Sequence, residues 1–464
     1  MITTNATEFE KELIDLCEAF YGEKDNIPEI EHEQMEAGHL FNIVKVKGKT
    51  FEYEFEAPSG TELVVKRLKK RYALASLYKA LSKTEGRELP WGSFTGIRPT
   101  ALARDAIENG EIKEHTVQEF LTREFSISPE KAVLCNKIIK NQKGMIKNDH
   151  MVDFYVNIPI CPSRCGYCSF ISSEYKAVAH IVDDYLNALI KEIRAMKKMM
   201  FEKALLVKNI YVGGGTPSVL SAKQLDVLLS ELTFPVSEFT VECGRPDTIT
   251  REKMDVLEKH GVTRICVNPQ TFSDATLKRI GRHHKTEDVF NAYSLALEKG
   301  FKVNMDIIVG LPGERAATVK KTIETLIELY PSNITIHTLS VKNGSLFKDE
   351  KPNVGFRNLD KMLSQAESRL MECGYKPYYL YRQKHQLGGL ENVGFYRDDE
   401  ICQFNIDSME ETSSIIAVGA GAISKRVFSI ENRIERQANA KFLNDYIARV
   451  DEFIEKKQIL FKKV

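Results

Sequence analysis

Apolar and polar positions change rhythm twice along the chain. From Phe154 onward, short apolar runs alternate with amphipathic stretches, which is the βα signature of a parallel sheet. The runs predict strands at Phe154–Ile158, Asn209–Val212, Glu238–Glu242, Thr263–Val267, Lys302–Val309 and Asn333–His337. Ser221, Thr250 and Ser273 each stand before a helical stretch as N-cap candidates, and Gly261 and Gly300 follow helical runs where a left-handed residue is wanted. Six strands with intervening helices predict a partial (β/α)6 barrel in an α/β fold. In such barrels the chemistry sits at the C-terminal ends of the strands, so residues just after each strand become candidates.

The flanks do not share that rhythm. Phe41–Val46 and Thr50–Glu56 read as a strand pair, followed by a helix from about Glu62 to Ser82 with Lys66, Arg67, Lys69, Lys70 and Arg71. The run Trp91 to Thr100 and a helix over Pro129 to Asn141 lead to the barrel, which makes residues 1–150 an α+β accessory domain. Residues 151–345 form the barrel. Residues 346–464 read as a mixed C-terminal substrate or lid domain: a helix near Asn358–Cys373, a meander from Lys376 to Asn405, the loop Gly419-Ala-Gly-Ala422 and a terminal helix.

Composition excludes more than it assigns. Lysine plus arginine and aspartate plus glutamate number 65 each, so the chain as a whole has no electrostatic preference for nucleic acid or an acidic membrane. The N-terminus lacks a basic and apolar leader, and no stretch approaches the roughly 18 apolar residues of a membrane span. A cytoplasmic protein is expected. Of nine cysteines, Cys17, Cys135, Cys243, Cys266, Cys373 and Cys402 are scattered and read as small core hydrophobes.

The other three are Cys161, Cys165 and Cys168, in Cys161-Pro-Ser-Arg-Cys165-Gly-Tyr-Cys168-Ser-Phe170, directly after the first barrel strand. A C-x3-C-x2-C loop can turn three thiolates to one point, and thiolates select iron–sulfur clusters, zinc or copper(I). A structural zinc would want a fourth ligand at finger-like spacing, but the next histidines are His150 and His180. Three ligands leave a corner open for chemistry. After the second strand comes Gly213-Gly214-Gly215-Thr216-Pro217, where a backbone without side chains can approach a ligand closely. Glu242, Gln270, Arg282 and Asp306 fall at or near later strand ends.

The cysteine loop resembles that of the radical S-adenosylmethionine (SAM) superfamily, and Tyr167 and Phe170 match the same loop. From about Val152 to Lys425 the chain is similar to the oxygen-independent coproporphyrinogen III oxidases. The runs Gly244-Arg-Pro-Asp247, Asn268-Pro-Gln270-Thr, Leu390-Glu-Asn-Val-Gly394 and Thr95-Gly-Ile-Arg-Pro-Thr100 look most like the HemZ branch, described as a coproporphyrinogen dehydrogenase. The resemblance implies two cofactors, a 4Fe-4S cluster on Cys161, Cys165 and Cys168, and SAM on its fourth iron. It places Tyr155 beside the cluster as the catalytic candidate and gives the methionine end of SAM to Gly214, Gly215 and Thr216. Glu242, Gln270, Arg282 and Asp306 would surround the ribose and carboxylate, and Phe170 would also contact the cofactor. Residues 1–150 have no counterpart in the oxidases, and Asn268-Pro269-Gln270 replaces their Gly-Val-Gln, so the cofactor chemistry carries over better than the substrate.

The activity so implied is radical decarboxylation of two coproporphyrinogen III propionates to vinyl groups, giving protoporphyrinogen IX for haem biosynthesis. The implied partners are a tetrapyrrole and a reductant such as flavodoxin or ferredoxin, with no membrane and no nucleic acid; oligomeric state is open. Lys376, Tyr378, Tyr379, Tyr381, Arg382, Lys384, His385 and Arg397 form a basic and aromatic stretch for the propionates and macrocycle, although a tyrosine-rich strand meander reads the same way. The alternatives are a haem-binding chaperone, an anaerobic haem-modifying radical methyltransferase, and a zinc-stabilised module that binds RNA through the basic helix.

Overall fold

The computed structural model describes residues 1–464 apart from 23, 145–149, 169, 171–172, 341–346, 348–355, 384–388, 430, 432 and 463–464. Two compact units are present: Met1–Asn141 with Leu380–Glu391, and Gln142–Tyr379 with Asn392–Val464.

The first unit holds a four-stranded sheet in the order β1 (Ile2–Thr4), β2 (Ile30–Ala37), β3 (His39–Val46), β4 (Lys49–Glu56). The expected pair is β3 and β4. Strand β2 hides from a hydrophobicity reading because its buried face carries His32, whose ring bonds Asn42 and Thr4 at 3.1 and 2.9 Å. The helix Glu62–Glu85 starts at Thr61, whose side chain accepts from the Val64 amide. Its basic run is ion-paired along its length: Lys66 with Glu8, Arg67 with Glu111, Lys69 with Glu36, Lys70 with Glu12 and Arg71 with Glu124. A row of cations so matched has little field left for a phosphate backbone. Trp91 is buried and donates to Glu391 at 2.6 Å, while the Arg382 guanidinium lies over its ring and donates to the carbonyls of Phe94, Gly96 and Gly389.

In the second unit the six expected barrel strands are β5 (Met151–Ile158), β8 (Leu206–Gly214), β9 (Glu238–Val241), β10 (Arg264–Cys266), β11 (Lys302–Val309) and β12 (Asn333–Thr338). Between the first two lies a small parallel pair, β6 (Ile160–Cys161) and β7 (Ser173–Glu174). The six pair in parallel and in chain order. Their near-continuous burial is what a parallel sheet covered on both faces demands. Ser221, Thr250 and Ser273 cap their helices as expected, and Gly261 and Gly300 both adopt φ of +73°.

Beyond β12 the sheet continues. Strand β13 (Lys376–Arg382) lies beside β14 (Glu391–Tyr396), which runs antiparallel to β12. At the other end β15 (Ser414–Val418) runs parallel to β5, followed by the antiparallel β16 (Ile423–Phe428) and β17 (Arg433–Ala438). The C-terminal strands therefore extend the barrel sheet from its first strand. The stretch considered for tetrapyrrole contact is a strand meander, with Tyr378 and Tyr379 buried and hydrogen-bonded to Asn405 and Thr335. Lys384 and His385 lie outside the described residues. Among the described residues no helix is long and apolar enough to cross a membrane.

Candidate functional site

The cysteine loop leaves β6 at Cys161 and turns tightly, with the Cys168 amide donating to the Cys165 carbonyl at 3.1 Å. The Gly166 amide donates to the Ile280 carbonyl at 2.9 Å and ties the loop to the segment that carries Arg282. Cys165 is buried, while Cys161 and Cys168 are half-buried. Burial, with Cys165 and Cys161 close by, pushes the Cys168 thiol up to about 11. Phe170 is 71% exposed. Among the described residues no three His, Cys, Asp or Glu side chains are gathered into a finished metal shell. The donor set still fits an iron–sulfur cluster: three thiols on one short loop, beside a turn whose backbone is bare of side chains.

That turn is Gly213 to Thr216. Gly214 has φ of +116°, and a Cβ there would stand 2.3 Å from Asn157 Oδ1. A Cβ on Gly215 would stand 2.6 Å from the Ile160 carbonyl and 2.9 Å from Cys161 Sγ. The Gly215 and Thr216 amides donate to Ile158 and Ile160, each at 2.8 Å, and Thr216 Oγ1 lies 3.6 Å from Cys161 Sγ. Glycine brings the second strand's end against the first because nothing larger fits.

Glu242 follows β9 and faces that turn. It accepts from the Tyr211 hydroxyl at 2.6 Å and the Gly214 amide at 3.2 Å. Burial pushes its carboxyl up to about 7; the Asp306 charge adds to this, against those two hydrogen bonds. Asp306, on β11, lies 3.7 Å from His337 Nε2 on β12. Gln270 sits at φ of +65°, pinned by amide bonds with Asp306 and Ile308, and its buried Oε1 has no partner. Such an orphaned acceptor wants a donor from a ligand. Arg282 is buried and donates to the carbonyls of Gly244 and Asn268 and to the Tyr167 hydroxyl, which leaves Nε unpartnered.

Tyr155 points from β5 into a stack with Tyr211 and Phe404, and its hydroxyl donates to Asn157 Oδ1 at 3.0 Å. None of its described contacts is to a cysteine of the loop. Sequence reasoning passed over Asn157, Tyr211, Phe404, Arg245 and His337. Two of these had a signal: Asn157 is two residues from Tyr155, and Tyr211 two from Gly213, so each shares its neighbour's strand face.

Residues 155–326 match the Radical SAM superfamily. The Bacillus subtilis oxygen-independent coproporphyrinogen-III oxidase-like protein HemZ is 37% identical over 381 residues, covering 79% of this chain and 76% of that protein. The chain belongs to the HemZ-like branch of the radical SAM superfamily. The Escherichia coli coproporphyrinogen III oxidase HemN, a radical SAM enzyme, shares the fold, with a TM-score of 0.52 at 22% identity over 68% of this chain and 72% of that one. The B. subtilis heme chaperone HemW is 35% identical over 204 residues, 42% of this chain and 52% of that protein. As a radical SAM protein, the HemZ-like chain uses a 4Fe-4S cluster and SAM.

Proposed function

We propose that this chain is an oxygen-independent coproporphyrinogen III dehydrogenase, which converts two propionates to vinyl groups and yields protoporphyrinogen IX. The observation that carries the reading is the similarity to HemZ across four-fifths of the chain. In each round a propionate gives up one hydrogen atom, which leaves in 5′-deoxyadenosine, releases carbon dioxide and passes one electron to a one-electron acceptor. When bound, the cluster and SAM supply the hydrogen-abstracting radical chemistry.

The chain's own residues would bind, orient and exclude water. Cys161, Cys165 and Cys168 would hold the cluster, and the bare backbone of Gly214, Gly215 and Thr216 would take the methionine end of SAM. Their support is the shared placement of loop and turn, 3.6 Å apart at Thr216 and Cys161. Glu242 and Asp306 would accept ribose hydroxyls, and the orphaned Gln270 oxygen would accept a further donor. The buried Arg282 would steady the loop through Tyr167 and, through Nε, face the cofactor carboxylate. Tyr155 would lie beside the cluster as the catalytic candidate, and Phe170 would contact the cofactor. A flavodoxin or ferredoxin would deliver the electrons.

The match to heme chaperone HemW favours a second reading, in which the protein carries haem and leaves porphyrinogen unchanged. One experiment separates them. Anaerobically reconstituted protein is given SAM, a reductant and either coproporphyrinogen III or haem, and products are followed by mass spectrometry. Loss of two carboxyl groups per tetrapyrrole, matched to 5′-deoxyadenosine, establishes the dehydrogenase. Stoichiometric haem binding with unchanged coproporphyrinogen overturns it.

A further inference from the structure

The stretch after β9 carries a guanidinium that the cofactor assignments above do not use. Arg245 is 3% exposed. Its Nε and Nη2 donate to Asp247 Oδ1 and Oδ2 at 2.9 and 2.8 Å, a forked pair that fixes the plane of the group. The remaining nitrogen, Nη1, is thereby aimed at the cysteine loop, reaching the Ser163 carbonyl at 3.3 Å, Ser163 Oγ at 3.1 Å and Cys165 Sγ at 3.8 Å. The aim is reinforced from behind. Arg282 grips the Gly244 carbonyl at 3.2 Å, and buried His284 stands 3.9 Å from Asp247 Oδ1.

We infer that Arg245 is a positioning residue that raises the reduction potential of the cluster by presenting a buried cationic N–H to the Cys165 sulfur. The inference rests on the reading that Cys165 is a cluster ligand. Adding an electron makes the cluster and its thiolates more negative, so a cation or N–H donor at a ligand sulfur stabilises the reduced form more than the oxidised one. Asp247 neutralises part of the charge, but it binds the far edge of the guanidinium, so the cation is the nearer of the two to sulfur. Removing the arginine should therefore lower the potential, and neutralising the aspartate should raise it.

The full chain is reconstituted anaerobically as wild type, Arg245→Met and Asp247→Asn; iron is counted, and the cluster is titrated electrochemically with electron paramagnetic resonance as the readout. With iron content equal, Arg245→Met is expected to shift the reduction equilibrium by about tenfold toward the oxidised cluster, which is about 59 mV for one electron. Asp247→Asn is expected to move in the opposite direction. A loosened loop would shift both variants the same way, so equal potentials or shifts of one sign overturn the inference. If Arg245→Met fails to fold or load iron, Asp247→Asn decides alone: a rise supports the inference and an unchanged potential overturns it. Failure of the underlying reading shows in iron content instead, as a Cys165→Ala protein that still takes up the wild-type cluster, and would overturn the inference with it.

Discussion

Lys457, on the helix Leu443–Lys462, and Glu192, on the helix Val182–Glu202, form an ion pair with neither side chain exposed to solvent. Glu192 is also the acceptor for Tyr446, Asn439 and the Gly419 amide. The loop it holds reaches the site: Ala420 accepts from Asn157 Nδ2 at 2.5 Å, and Asn157 Oδ1 accepts from Tyr155. A fully buried pair thus anchors the last helix and, through one loop, Asn157 and Tyr155 on β5.

Lys457→Met should destabilise the fold by about 3–5 kcal/mol, because it leaves the Glu192 carboxylate buried without its cation. Glu192→Gln combined with Lys457→Met should cost less than Lys457→Met alone, since no net charge then remains buried. Urea denaturation of the two variants and wild type measures both. A double variant at least as unstable as the single one would mean that packing, and not the uncompensated charge, sets the cost.

The barrel was legible because a parallel sheet covered on both faces needs continuous apolar runs, and all six were there to read. The helix caps were legible because Ser221, Thr250 and Ser273 use local chemistry. What escaped was set by distant pairing. Strand β15 joins β5 across more than half the chain, and no local pattern says which strand Ser414–Val418 will neighbour. The basic helix has the same lesson: its partners Glu8, Glu12, Glu36, Glu111 and Glu124 are spread over the first unit. At the site, residue types after each strand were readable, whereas the aim of Arg245 at Cys165 depends on a side-chain fork that spacing does not encode.

Glu242 supplies a test of pH dependence. Its carboxyl is raised from 4.5 to about 7, so the folded state binds the proton more tightly than the unfolded chain. That contribution to stability is full below about pH 4.5, falls as pH rises, and is gone above about pH 7. The stability of wild type relative to Glu242→Gln should therefore decline between pH 5 and pH 7.5, by on the order of 3 kcal/mol. Paired denaturation curves at the two pH values measure it. A difference that stays constant or grows with pH would show that Glu242 is charged throughout.

Replacing Cys161, Cys165 and Cys168 together with alanine should abolish iron uptake and leave the barrel folded. The three lie on a short local loop, and only Cys165 is buried. The cost should be within about 1 to 2 kcal/mol, typical of a modest local substitution. Iron analysis and circular dichroism after anaerobic reconstitution give the two readouts. Wild-type iron content would remove the loop from the cofactor site, and a collapsed fold would make it a structural element of the barrel.

Gly215→Ala tests whether the glycine turn and the cysteine loop act as one body. The added Cβ would meet the Ile160 carbonyl at 2.6 Å, the Ile160 amide nitrogen at 2.8 Å and Cys161 Sγ at 2.9 Å, and two of those three atoms are backbone that cannot swing aside. Overpacking of this kind costs about 1–3 kcal/mol and is relieved by moving the strand that carries Cys161. Gly244→Ala is the matched control, because the three atoms nearest its Cβ would all belong to the Asn268 side chain, at 3.1 Å or beyond, and that amide can give. The expectation is that Gly215→Ala stays folded yet loses most of its cluster iron and its SAM binding by equilibrium dialysis, while Gly244→Ala keeps the iron. Equal retention of both cofactors by the two variants would mean that the loop and the turn move independently, and that their closeness does not build the site.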